Sequence, residues 1–237
     1  MPQVSPTADL TDVPLAELRF HFASLSGPRQ LERAFTLLPG RVAAVSSFGA
    51  DSAVLLSMIA EIDHAIPVVF LDTGRHFPET LAYRQHLAEV LRLTNVIDQS
   101  PDAAAIARVD PETMLASFDP DRCCEFRKVQ PLEKALAPYL AWINGRRRQQ
   151  ASTRAGLPTA EIAEGKLKLS PLAGWTANAI EAEFARRGLP QHPLRWRGFP
   201  SIGCAPCTRA VRPGEDSRAG RWAGHDKIEC GIHRAAG

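Results

Sequence analysis

No run of 18 uncharged apolar residues occurs in the 237-residue sequence, so a membrane-spanning helix is not expected. The opening residues Met1-Pro2-Gln3-Val4-Ser5-Pro6 hold neither a basic stretch nor an apolar one, and no secretory signal is read there. No large excess of one charge is present either: 28 Lys and Arg against 26 Asp and Glu leave +2. Nucleic-acid-binding domains usually carry a larger basic surplus, so a nucleic-acid partner is not expected. Internal repeats and low-complexity segments are also missing. The 45% hydrophobic and 23% charged composition is that of a soluble globular chain, which excludes wholesale disorder, collagen and a strict coiled coil. At this length folding buries roughly 70–75% of the unfolded chain's surface, enough for a core without disulfide staples. The expectation is one cytoplasmic domain over 1–237, with a flexible segment 1–12 and a mobile tail 222–237.

What is present is an alternation. Leu15 to Phe22 and Gln30 to Leu38 read as short amphipathic helices, and Arg41 to Ser46 as a buried strand. A helix follows from about Ala53 to Ile62, then a strand over 66–71, a helix from Pro78 to Arg92 and a short strand at Val96-Ile97. Phe126 to Leu140 reads as a helix interrupted by Pro131 and Pro138. Leu140 to Ile143 and Lys166 to Leu169 read as strands, 151–165 as a loop, and Thr176 to Arg187 as a helix. Alternating strands and helices predict an α/β fold: a parallel twisted sheet flanked by helices, here with a loop-rich C-terminal segment from Gly188 onward. In such sheets ligands bind beyond the carboxyl ends of the strands, where the polar loops 46–52 and 72–76 would lie.

Two groups of residues carry chemistry. The loop Ser46-Ser47-Phe48-Gly49-Ala50-Asp51-Ser52 could present backbone N–H groups and a helix N-terminus to an anion. It reads equally as an ordinary turn capped by Asp51 or Ser52; it is neither a Walker A nor a G-x-G-x-x-G motif. The five cysteines are an odd number without a disulfide framework. Cys123-Cys124 and Cys204-x-x-Cys207 supply four thiolates for zinc or an iron–sulfur cluster. Adjacent cysteines diverge, which favours a [4Fe–4S] cluster over one small ion. Cys230 remains: either an activated nucleophile on a mobile tail or an incidental terminal thiol.

Taken together these residues resemble the thioredoxin-dependent sulfonucleotide reductases, specifically the iron–sulfur adenylylsulfate (APS) reductase branch of the APS/PAPS reductase family. The motifs run in family order: Leu71-Asp72-Thr73-Gly74-Arg75, then Cys123-Cys124-Glu125-Phe126-Arg127-Lys128-Val129, then Gly145-Arg146-Arg147-Arg148-Gln149-Gln150. They continue through Ser201-Ile202-Gly203-Cys204-Ala205-Pro206-Cys207-Thr208-Arg209 and Gly214 to Trp222, and close with Glu229-Cys230-Gly231-Ile232-His233. Arg195, Phe199 and Ala223-Gly224 depart from the family pattern.

The resemblance implies an adenine nucleotide α-hydrolase-like fold. It also implies thioredoxin-dependent reduction of adenosine 5′-phosphosulfate to sulfite and AMP, within sulfate assimilation and cysteine biosynthesis. Cys230 would attack the substrate sulfur and carry it as S-sulfocysteine until thioredoxin, or glutaredoxin, frees sulfite. Lys128, Arg218, Arg221 and His233 would meet the phosphosulfate. Ser46, Ser47, Gly49, Asp72, Thr73, Gly74 and Arg147 would frame the nucleotide. Cys123, Cys124, Cys204 and Cys207 would hold a [4Fe–4S] cluster. Arg146 and Arg148, in the same motif, read equally as site residues or as a solvated face, and His64, His86, His192 and His225 as surface or helix residues. Trp142 and Trp175 read as packing residues. The alternatives are a PAPS reductase and, because Asp51-Ser52 matches the pyrophosphatase loop, an ATP-dependent tRNA-thiolating enzyme. The oligomeric state stays open.

Overall fold

A computed structural model describes residues 13–233; the expected flexibility of 1–12 and the end of the tail, 234–237, lie outside them. The sheet grows from Val42–Val45 (β1) and Val68–Leu71 (β2), two strands buried at every residue. Such continuous apolar runs mark strands covered on both faces. Alternate side chains divide between two cores. Val42, Ala44, Val68, Phe70 and Ile143 join the larger one, and Ala43, Val45, Val69, Leu71 and Trp142 the smaller. The helices Leu15–Ala23 (α1), Gly27–Leu37 (α2) and Ser52–Ile62 (α3) contribute to the larger core.

Pro78–Val90 (α4) follows β2, with its proline in the first turn, and leads to Val96–Gln99 (β3). Three short helices come next: Ala103–Val109 (α5), Leu115–Phe118 (α6) and Pro120–Cys124 (α7). Asp102 and Asp119 cap α5 and α7 through their side chains. The expected helix over 126–140 is instead a π-helical turn, Glu125–Val129, running into Gln130–Leu136 (α8). Such wide turns recur at functional sites, and this one carries Lys128 just after the tandem cysteines.

Ala141–Ile143 (β4) pairs parallel to β1 on the side away from β2. Ala160–Ala163 (β5) and Lys166–Leu169 (β6) complete a sheet of order β3-β2-β1-β4-β6-β5. Only β5 is antiparallel, and it corrects the reading of 151–165 as loop. Its hairpin turn places Glu164 and Gly165 at φ 53° and 70°, the two positive angles of a type I′ turn. Ala177–Arg187 (α9) is capped by Thr176. Among the described residues beyond Gly188 the chain forms short 3₁₀ turns and an isolated antiparallel bridge between Thr208 and Arg221. Among the described residues no helix is long and apolar enough to cross a membrane.

The strand order reverses between β1 and β4, because β2 and β3 leave β1 on one side and β4 and β6 on the other. A crevice opens at the carboxyl ends of strands at such a point.

Candidate active site

The crevice is a cavity of about 420 Å³, lined by the loop after β1, the loop after β4 and the C-terminal segment. In the first loop Phe48 takes a positive φ of 47°, rare for a bulky residue. Its ring is fully buried and meets Phe70 edge-on at 5.6 Å, while its N–H donates to Ser46 Oγ at 3.1 Å. This reversal leaves Ser47 exposed and Gly49 on the cavity wall. A Cβ on Gly49 would stand 3.3 Å from Ser47 Oγ, so the loop has little room for a side chain. Asp51 occupies the N-cap position of α3, but its side chain makes no capping bond. It pairs with Arg147 and accepts from Gln150 Nε2 at 3.3 Å. The first N–H groups of α3 therefore lack a side-chain cap at the cavity edge.

From the C-terminal side Lys128, Arg218, Arg221, Cys230 and His233 line the same cavity, together with Arg147, Ser46, Ser47 and Gly49. Arg221 stacks 4.5 Å from the Trp222 ring centre and donates to Ser201 Oγ and to the Ile202 carbonyl, both at 3.3 Å. The Nε atoms of Arg147, Arg218 and Arg221 and Nδ1 of His233 are buried without hydrogen-bond partners. Orphaned buried donors are costly, and three guanidinium Nε–H groups around one cavity suit an anionic occupant. His233 stacks on Trp142 with ring centres 5.9 Å apart and planes 9° apart. Burial, then the charges of Arg146, Lys168, Arg154 and Arg218, hold its imidazole well below the usual range, so the ring is neutral at pH 7. Burial opposes the charge on Lys128, yet the nearby thiols of Cys204, Cys230 and Cys124 hold its pKa above the ordinary value. Cys230 shares a hydrogen bond with Cys124, which with Lys128 and Arg221 lowers the Cys230 thiol well below its ordinary pKa against its burial.

The other four cysteines line a second, small cavity of about 10 Å³, walled also by Arg75, Arg127, Lys128 and Trp222. Cys123, Cys124 and Cys204 are buried and Cys207 is half-buried. Burial and the neighbouring Cys204 push the Cys123 thiol up to about 11. Among the described residues no three His, Cys, Asp or Glu side chains form a group that could hold a single metal ion. Lys128 and Trp222 face both cavities.

Asp72, Thr73 and Gly74, expected to frame the nucleotide, do not line the larger cavity. Thr73 Oγ1 lies 3.3 Å from Cys204 Sγ, and its carbonyl accepts from Arg127 Nη1 at 2.9 Å. Asp72 Oδ1 accepts from Gly74 N–H at 2.9 Å, closing a turn in which Gly74 takes φ 66°. Because β2 ends at Leu71, this turn reaches past the crevice toward the thiols.

Several residues were missed or misread from sequence. Of the two arginines left open between site and solvated face, Arg146 pairs with Glu161 at 2.8 Å and lines the cavity, while Arg148 is exposed. Glu161 also holds Lys168, fully buried and 5.1 Å from the Trp142 ring centre. Arg154 lines the cavity from a segment read as loop; its arginine-bearing 3₁₀ turn gave no periodic signal. His192, read as surface, is fully buried. Trp142 packs in the smaller core as expected, and Trp175 lies against the larger one.

The phosphoadenosine phosphosulfate reductase domain pattern matches residues 41–210. An adenosine 5′-phosphosulfate reductase of Mesorhizobium japonicum is 54% identical over 198 residues, 83% of this chain and 78% of that protein. A phosphoadenosine 5′-phosphosulfate reductase of Gloeobacter violaceus is 38% identical over 236 residues, 98% of each chain. The crystal structure of the Candida auris PAPS reductase in complex with phosphate superposes with a TM-score of 0.67 at 25% identity, covering 86% of this chain and 98% of that one. The mostly parallel sheet flanked by helices expected from the sequence is the one observed, and the Candida auris enzyme shares its fold.

Proposed function

The chain belongs to the phosphoadenosine phosphosulfate reductase domain family, and we propose that it reduces adenosine 5′-phosphosulfate to sulfite and AMP with Cys230 as nucleophile and thioredoxin as electron donor. The observation that carries this reading is the seating of Cys230 in a cavity with Lys128, Arg218, Arg221 and His233, several of whose donors are unpartnered. Adenosine 5′-phosphosulfate is preferred over its 3′-phosphorylated relative because the 54% identical relative bears that name and the 38% identical one bears the other.

Cys230 Sγ attacks the substrate sulfur. A sulfur–sulfur bond forms, the sulfur–oxygen bond to phosphate breaks, and AMP leaves with that electron pair. Lys128, Arg218 and Arg221 offset the charge growing on the leaving phosphate, and the arginines can do so through two N–H groups each. Neutral His233 offers the same region a hydrogen-bonding nitrogen. A thioredoxin thiolate then attacks Cys230 Sγ and sulfite departs. The second thioredoxin thiol resolves the mixed disulfide, so the dithiol supplies two electrons and Cys230 is restored. Ser46, Ser47, Gly49 and Arg147 hold the nucleotide. Asp72, Thr73 and Gly74 act one layer away, on the cysteine side.

Cys123, Cys124, Cys204 and Cys207 fit a [4Fe–4S] cluster. Four soft donors line one small cavity without forming a single-ion group, and Arg75, Arg127 and Lys128 on its wall offset the negative charge of thiolate ligation. When bound, the cluster supplies a charged, rigid body behind Lys128 and the substrate cavity. Free thiols and nucleophilic Cys230 chemistry suit a reducing cytoplasm.

The test is sulfite release by anaerobically purified protein with reduced thioredoxin. Turnover with adenosine 5′-phosphosulfate, little with the 3′-phosphorylated nucleotide, and none in Cys230→Ser is the expected result. Retained turnover in Cys230→Ser overturns the mechanism.

A further inference from the structure

From Ala223 to Glu229 the chain forms no helix or strand, and residues 223–226 are exposed. Ile228 is 60% exposed. Nothing regular in the backbone holds Cys230 in the cavity, so side chains must. After the thiol, Ile232 packs on the smaller core and His233 stacks on Trp142. Before it, Glu229 turns inward. Its carboxylate accepts from Arg154 Nε at 2.6 Å and Nη2 at 2.8 Å, and from Thr153 Oγ1 at 3.2 Å. Arg218 Nη2 lies 3.4 Å from the same carboxylate and donates to the Ile228 carbonyl at 3.0 Å.

Arg154 is itself held. Its Nη1 donates to Gln150 Oε1 at 2.6 Å, and Gln150 Nε2 donates to Asp51 at the start of α3. A hydrogen-bonded path thus runs from the loop after β1 to the residue beside the thiol. A bidentate guanidinium–carboxylate pair fixes angle as well as distance, and this one is only 10% and 26% exposed on its two sides.

Resting on the function proposed above, we propose that Glu229 is a positioning residue: its grip on Arg154 and Arg218 latches the tail so that Cys230 points into the cavity. The latch serves only one half of the cycle. Thiol attack on the sulfonucleotide needs the tail closed. Thioredoxin must reach Cys230 Sγ, which needs the tail open. If only closed molecules react, the rate of the first half follows the closed fraction, while the second half gains nothing from the latch.

The experiment compares wild type, Glu229→Gln and Glu229→Asp as cluster-loaded full-length proteins. The first readout is alkylation of Cys230 by iodoacetamide without substrate, followed on the Cys230 peptide by mass spectrometry. The second is the single-turnover rate of S-sulfonation by adenosine 5′-phosphosulfate. The third is sulfite release from pre-sulfonated protein by reduced thioredoxin. For Glu229→Gln the expected result is faster alkylation and S-sulfonation slowed about tenfold or more, with thioredoxin release unchanged or faster. Glu229→Asp, which keeps the charge, recovers part of the first-half rate. Unchanged alkylation and S-sulfonation in Glu229→Gln overturn the latch, and so does an equal fall in both half-reactions. If wild type is not S-sulfonated at all, the proposed function fails while alkylation still tests the latch.

Discussion

Phe48 holds a backbone conformation that glycine adopts freely, with φ 47°. A bulky residue there costs roughly 1–2 kcal/mol, offset by a ring that is fully buried against Phe70. Phe48→Ala keeps the strain and loses the ring, so urea unfolding should show a loss of about 3–5 kcal/mol. Phe48→Gly loses the ring without the strain and should lie about 1 kcal/mol above it. That this loop side chain is core was not legible in the sequence, because a loop has no periodicity to reveal it.

His192 makes a pH prediction. Leu194 N–H donates to its Nδ1 at 3.2 Å, and Nε2 faces Thr80 Oγ1 at 3.1 Å, so the neutral ring donates from Nε2. Burial lowers its pKa from 6.5 to about 4. Between those values the unfolded chain binds the proton and the folded one does not, so stability falls as pH drops from 6.5 and the loss levels off below about 4. The loss is about 3 kcal/mol. Denaturation of wild type and His192→Gln at pH 7 and pH 4.5 should show this fall in wild type and a smaller one in the variant. His192 carried no motif, and burial of an isolated histidine leaves no trace in its own segment.

Among the elements, the π-helical turn between α7 and α8 connects the cysteines to the substrate cavity. It places Cys123 and Cys124 on one side, Lys128 between the cavities and Arg127 inside. Arg127 binds the Thr73 carbonyl and pairs with Asp110 at 2.7 Å, both partners almost fully buried. Asp110→Asn leaves a buried guanidinium uncompensated. It should cost about 3–5 kcal/mol in denaturant unfolding and lower the iron retained per chain. Unchanged stability and iron content would count against this support. Strands β1 and β2 were readable because they are apolar runs followed by helices. The edge strand β5 alternates weakly and turns through Glu164-Gly165 rather than a stronger Asn-Gly signal. Helix α5 buries no residue, so it had no apolar face to announce it.

In the molecule as a whole, two cavities share Lys128 and Trp222 as a wall. One gathers cations around Cys230; the other gathers four thiols. The family resemblance, with its motifs on separate strand ends and on the tail, pointed to Ser46, Ser47, Gly49, Lys128, Arg147, Arg218, Arg221, Cys230 and His233, and all of them line this cavity. It could not place Arg146, Arg154, Lys168 and Glu161, whose roles arise from the β5–β6 hairpin folding beside β4. It also could not show that the turn after β2 faces the thiols rather than the crevice. Since Lys128 belongs to both cavities, Lys128→Ala should lower turnover about a hundredfold or more. Normal turnover in that variant would remove Lys128 from the account.

The most direct measurement is the state of Cys230 after anaerobic incubation with adenosine 5′-phosphosulfate and no thioredoxin. The account predicts a single sulfonate on the Cys230 peptide by mass spectrometry, AMP released in equal amount, and sulfite only on addition of reduced thioredoxin. Sulfite formed while Cys230 stays unmodified would contradict it.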